Sequence, residues 1–124
     1  MNLDDLTLGQ AKQLATMFGS QPRQPAMIQG NGRPVIVRSR DAGVQFGGLV
    51  EYAADGSTVT LANARQMWKW KSRAGGTLLD CAQHGVEKVG SKFSAPCDRV
   101  IVIGACAIID CTPEAVTSIG AVSW

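Results

Sequence analysis

One dipeptide constrains the fold of this chain more than any other feature. Asp55-Gly56 sits between Val50-Glu51-Tyr52 and Ser57-Thr58-Val59-Thr60-Leu61. An Asp-Gly pair between alternating apolar residues predicts a β-hairpin with a type I′ turn, in which both central residues need φ > 0. With those two residues as the loop, Tyr52 faces Val59 and Val50 faces Leu61 on an apolar face, while Glu51 faces Thr60 between them. A slip of one residue would mix the faces, so the pattern supports this register. Carried outward, the ladder sets Gly48 against Asn63 and Phe46 against Arg65. A second turn at Asp41-Ala42-Gly43 folds Val35–Arg40 back on Gly43–Val50. The expectation is a three-stranded meander, which can be stable where a lone hairpin is marginal.

The remaining segments extend this to an α+β fold, mainly antiparallel sheet with short flanking helices and an N-terminal helical extension. Residues 1–19 carry Leu8, Ala11, Leu14, Ala15 and Phe18 on one helical face, with a capping box at Thr7-x-x-Gln10 and a stop at Gly19. Residues 20–33 have linker composition and include Pro22-x-x-Pro25. The domains expected are therefore 1–33, helix and linker, and 34–124, a single ligand-binding unit. Thr77–Val86 reads as a short helix with Thr77 as N-cap and Asp80 near its positive end. Asp98–Cys111 is the most apolar run, rich in Val and Ile without helical periodicity. It predicts one strand, central or covered by another subunit, with a bulge or close approach at Gly104. Thr112-Pro113-Glu114 opens a last helix that ends at Gly120.

Composition bounds the function. The 124 residues suit one domain with a real core, and no apolar run approaches a membrane span. A net charge of +2 provides no broad basic field, which argues against a nucleic-acid polymer as partner and leaves room for a small anion held by a few arginines. Cys81, Cys97, Cys106 and Cys111 have no metal-like spacing, and His84 is the only histidine, so neither a metal nor a cofactor is expected. The acidic N-terminus lacks the apolar core of a signal peptide, which predicts an intracellular, reducing location with free thiols.

Enzyme chemistry finds little support. Cys81 and His84 share a helix face at i, i+3, but no orienting acid accompanies them. No paired carboxylates appear, and Gly47-Gly48 and Gly75-Gly76 are too short for phosphate loops. No catalytic residue is expected. Arginines and aromatics, by contrast, crowd the centre: Arg38, Arg40, Arg65 and Arg73 with Phe46, Trp68, Trp70 and Phe93. Guanidinium forks suit phosphates and aromatic faces suit nucleobases. The same arginines could equally form a solvated sheet face. In a regular strand Trp68 and Trp70 lie on one face, either as core anchors or as a stacking wall beside Arg65. Phe93, in the polar setting Ser91–Pro96, is an edge plug or an exposed platform.

A resemblance sharpens this. Residues 35–47 (Val-Ile-Val-Arg-Ser-Arg-Asp-Ala-Gly-Val-Gln-Phe-Gly), Asn63-Ala64-Arg65 with Trp68-x-Trp70, the helix around Gly85-Val86, Lys92-Phe93, and Cys111-Thr112-Pro113-Glu114 before a C-terminal Trp occur in an order that resembles the first-described Thoeris anti-defence sponges of phages. The resemblance covers residues 34–124 and departs from that family in having no arginine after Gly120. It implies a protein that sequesters a cyclic ADP-ribose signal without cleaving it, with some members also holding cyclic oligonucleotide signals of the CBASS system. It also implies a ligand between protomers of a homo-oligomer, dimer or higher up to a hexamer, in the cytoplasm of the infected bacterium. Ligand-binding candidates on this reading are Arg38, Phe46, Asn63, Arg65, Trp68, Trp70 and Phe93, with Arg38 and Arg65 on phosphates, Phe93 or a tryptophan on adenine, and Trp68 as the contrasting core anchor. Two other classes stand beside it: a small phage structural or scaffold protein without ligand, and a nuclease or cyclic-nucleotide hydrolase, which lacks its acid–base pair.

Overall fold

The computed structural model describes residues 26–124. The helix expected over residues 1–19 and the linker up to residue 25 lie outside them. Seven strands and two helices follow in order: β1 (Met27–Gln29), β2 (Pro34–Ser39), β3 (Gly43–Ala53), β4 (Thr58–Lys69), α1 (Leu78–His84), β5 (Lys92–Phe93), β6 (Cys97–Ile103), β7 (Ala105–Asp110) and α2 (Pro113–Gly120). Every pairing is antiparallel, in agreement with the expected α+β class. No helix among the described residues is long and apolar enough to cross a membrane.

The meander β2–β3–β4 is the centre of the sheet. On its outer flanks β7 pairs with β2 and β5 with β4, while β1 adds to β3 and β6 adds to β4. β6 runs into β7 through Gly104, whose φ of 77° lets the chain turn there. One bent segment therefore leaves β4 and joins β2, and the pairing closes into a small barrel. Val35, Val37, Leu49, Val59, Leu61, Ala64 and Val102 fill its interior. A second core lies outside the barrel wall, where Ile36, Val44, Met67 and Phe93 meet Cys81, Ala82 and Val86 of the α1 region and Ile119 and Val122 of the α2 region. β2 is thus buried on both faces, which explains its unbroken Val-Ile-Val.

The Asp55-Gly56 turn exists, but it is not type I′. Only Gly56 has positive φ (79°). The Gly56 N–H donates to the Ala53 carbonyl, and Asp55 Oδ1 accepts from the Ser57 N–H at 2.9 Å. That side-chain bond lets Asp55 keep an ordinary backbone, and glycine alone takes the left-handed position. The register near the turn is as expected: Tyr52 faces Val59 and Glu51 faces Thr60. Beyond it an extra residue on β3, Val50, shifts the ladder so that Leu49, not Val50, faces Leu61. A second extra residue on β4, Asn63 with φ 52°, shifts it back. Phe46 therefore faces Arg65 as the unbulged ladder had it, while Gly48 faces Ala62 instead of Asn63. Gly47 lies against this second bulge. A Cβ there would stand 3.0 Å from the Ala62 carbonyl and 3.2 Å from Ala64 Cα, so the close approach needs glycine.

Residues 27–33, linker by composition, belong to the sheet: β1 pairs with the end of β3. Gly30 packs so tightly on Leu49 that any Cβ would collide with it, and Arg33 reaches across to Asp110 at 2.9 Å. The apolar run 98–111, expected as one strand, is two, β6 and β7, because the chain turns at Gly104. Val102 points into the barrel with Val100 and Ile108 beside it, Ile109 packs against the helices, and Ile101 and Ile103 face outward, Ile103 at 71 % exposure. Its two apolar faces thus have different causes: β7 lies beside α1 and packs Ile109 against the second core, and the outer face of β6 is bare among the described residues. Both helices start as their sequence signals predict. Thr77 and Asp80 form a capping box, and Thr112 caps α2 with Pro113 in its first turn.

Candidate functional site

The candidates separate into three places. Arg38 and Trp70 come together. They line one cavity of about 350 Å³ with Val44, Gly76, Thr77 and Leu78. β2 presents Arg38 on the face shared with Ile36, paired across to Val44 on β3. The Gly75-Gly76 loop and the start of α1 close the opposite side. Arg38 is exposed, and among the described residues the ion pairs are Arg33–Asp110 and Arg73–Glu114, neither involving Arg38. Beside the cavity, Asp80 accepts from the Thr77 hydroxyl at 2.8 Å and from the Gly76 and Thr77 N–H groups. The Thr77 hydroxyl first, then those N–H groups, hold its carboxyl below the usual carboxylate range. The lining itself offers one guanidinium, one indole, apolar side chains and a hydroxyl already committed to Asp80. It holds no imidazole, thiol or carboxylate. It can take an anion beside a flat ring, and it carries no acid–base pair.

Arg65 stands elsewhere, in the interior. It is 5 % exposed, and it donates from Nε to the Ser94 carbonyl (2.7 Å), from Nη1 to Ile119 (2.9 Å) and from Nη2 to Val122 (2.7 Å). Its guanidinium lies 5.4 Å from the Phe93 ring centre and 5.5 Å from that of Trp124. Burial pushes its pKa down, yet a guanidinium stays charged in proteins. Arg65 thus clamps the end of α2 and the chain just after it to the sheet. Phe93, 2 % exposed, is the floor of that clamp and a core member, so of its two expected forms the plug is the one found. Phe46 packs partly buried against the same core. Asn63 is exposed, and its left-handed backbone makes the bulge that keeps Arg65 opposite Phe46.

Trp68 occupies a third place. It is 64 % exposed, with Lys92 Nζ 5.7 Å from its ring centre. The expectation of a core anchor sharing a face with Trp70 is corrected here. Met67 pairs with Phe93 and Lys69 with Lys92, so Trp68 is one extra residue on β4. A bulge reverses the alternation beyond it. Trp68 and Lys69 are both exposed, whereas Trp70 packs against the core.

The Cys81–His84 pair presents no nucleophile. Cys81 is fully buried, and burial pushes its thiol up, away from the thiolate. Cys111 is raised to about 12, chiefly by burial. All four cysteines are free, with Cys97 and Cys106 exposed. Ellman's reagent at neutral pH should therefore find two fast thiols and two slow ones in the native protein. Four equal rates would contradict this burial. Among the described residues no group of His, Cys, Asp or Glu could hold a metal ion.

Val44, Thr77 and Leu78 also line the cavity, and no local sequence signal marks them as site residues. Thr77 was visible only as a helix cap, and nothing local says that this cap lies across from β2.

The family described as Domain of unknown function (DUF6948) matches residues 32–119, well over half of the chain. The chain belongs to the DUF6948 family. The match spans the whole meander, α1, α2 up to its last residue, and all the ligand-binding candidates above. No curated protein and no solved structure matches the chain.

Proposed function

We propose that this DUF6948 protein binds and sequesters a small cyclic nucleotide without cleaving it, and that the ligand is a cyclic ADP-ribose signal of Thoeris defence. The observation that carries the reading is the cavity in which Arg38 and Trp70, two of the positions matched by the resemblance, stand together with no acid–base pair. A guanidinium fork pairs with phosphate oxygens, and an indole stacks on a nucleobase. A sponge needs both contacts and needs the ligand to leave intact.

The cavity is at the lower end of the range for small-molecule sites, about 300–1,000 Å³. Binding that competes at signal concentrations requires Kd at nanomolar or below, about −12 kcal/mol, and so requires most of the ligand to be buried. On this reading a second protomer completes the site, in a homo-oligomer that is a dimer or larger. The reading places the protein in the cytoplasm of an infected bacterium. The bare Ile101 and Ile103 row favours self-association and equally favours the second reading, a small phage structural component with no ligand.

One assay separates the readings. The protein is mixed with a TIR-generated cyclic ADP-ribose isomer, the free signal is measured, the protein is heat-denatured, and the supernatant is measured again. Depletion followed by release of intact signal is expected. An altered product identifies an enzyme, and no depletion before heating supports the structural reading.

A further inference from the structure

The surface around Trp68 has chemistry that the Arg38 cavity does not use. The bulge in β4 turns two consecutive residues, Trp68 and Lys69, outward. Across the ladder Lys69 is paired with Lys92, and both side chains are exposed. Like charges directly opposite each other in a sheet are destabilising. Neither lysine belongs to the ion pairs found among the described residues. Trp68 remains 64 % exposed, covered only in part by the Lys92 ammonium. Behind this surface the platform is firm: Met67 and Phe93, the neighbours of Trp68 and Lys92, are both core residues.

An exposed indole costs hydration, and two opposed ammonium groups repel. A ligand with alternating flat rings and negative charges relieves both. We propose that Trp68, Lys69 and Lys92 form a surface for single-stranded nucleic acid, with one base stacked on the indole and the flanking phosphates on the two lysines. Stacking platforms of this kind tolerate any base, because every base has a π-face, and the lysines follow the backbone. The contact of Lys92 with the indole is a surface cation–π pair, weak enough for a base to displace. Lysine suits this role, since its flexible stem lets the ammonium swing from ring to phosphate. A duplex keeps its bases stacked inside and cannot use the indole. The low net charge argues against a polymer wrapped over the whole surface, but not against a strand gripped at one point by two cations. The proposal is independent of the nucleotide cavity at Arg38.

The test is fluorescence anisotropy of a labelled oligothymidylate titrated with the full chain at low and moderate salt. The wild type should bind at low salt and release as salt rises. Trp68→Ala should weaken binding about tenfold. Lys69→Gln with Lys92→Gln should lower the slope of log K against log salt by about 1.4, two phosphates at ~0.7 each. These positions are exposed, so the variants should melt no earlier than the wild type, the double lysine variant if anything later, which makes the binding data interpretable. A duplex of the same length should bind less tightly, thymidine monophosphate should compete poorly, and Arg38→Ala should bind the strand normally. The proposal is overturned if the wild type binds no strand at low salt, if Trp68→Ala binds as the wild type does, if duplex binds equally well, or if Arg38→Ala abolishes strand binding.

Discussion

Arg65→Ala should lower folding stability by about 3–5 kcal/mol. The reason is the number of groups stranded at once. The guanidinium donates to the carbonyls of Ser94, Ile119 and Val122, and two of those bonds are buried. Charge-assisted bonds contribute about 1.5–3 kcal/mol each, but three bonds to one side chain share a single ordering cost and do not add fully. The variant also opens the space between Phe93 and Trp124. Arg65→Lys keeps the charge but cannot reach three carbonyls from one ammonium, so it should fall between the two. Urea denaturation of the three proteins measures this. A loss within about 0.5 kcal/mol, the range of a neutral surface change, would show that the clamp contributes nothing.

Phe93→Ala should cost about 3–5 kcal/mol, while Trp68→Ala should stay within about 0.5 kcal/mol of the wild type. The pair reverses the order that the sequence suggests, because the indole looks the better anchor. Phe93 is 2 % exposed among Met67, Val86, Ile119 and Val122, whereas Trp68 is 64 % exposed. Removing the phenyl ring leaves a cavity and also withdraws one of the two rings that flank Arg65. Part of its cost therefore overlaps with that of Arg65→Ala, and the double variant should lose less than the sum. Melting and urea curves decide between the two orders. Early unfolding of Trp68→Ala with a normal Phe93→Ala would contradict the placement of both residues.

Features set by local chemistry were readable from the sequence. Thr77 with Asp80, and Thr112 with Pro113, announce helix starts whose bonds close within four residues. Asp55-Gly56 and Asp41–Gly43 announce turns for the same reason, and the meander between them follows from alternation. The single-residue bulges at Val50, Asn63 and Trp68 were not readable. Each depends on what lies across the sheet. Val50 and Asn63 cancel, so the expected Phe46–Arg65 pairing survived two unseen shifts. Trp68 has no compensating partner, and the alternation beyond it was therefore inverted. β1 was hidden because Met27-Ile28-Gln29 is short and borders Gly30-Asn31-Gly32, where composition speaks of loop and the packing of Gly30 on Leu49 decides otherwise. Of the candidate site, arginine and aromatic density pointed to the right region but could not divide it. Arg38 and Trp70 share a cavity, Arg65 and Phe93 share a core, and Trp68 stands apart.

On the proposed reading, Arg38 and Trp70 hold a cyclic ADP-ribose signal in one cavity. Calorimetric titration of a purified cyclic ADP-ribose isomer into the wild type, Arg38→Ala and Trp70→Phe measures this, with melting curves on the same samples. Trp70→Phe keeps an apolar ring against the core and serves as the milder change. The wild type should bind with a nanomolar Kd. Arg38→Ala should lose roughly ten- to a hundred-fold in affinity with an unchanged melting temperature, as fits one charge-assisted contact of about 1.5–3 kcal/mol. Trp70→Phe should lose less. Absence of heat with the wild type, or equal affinity of wild type and Arg38→Ala, would contradict it.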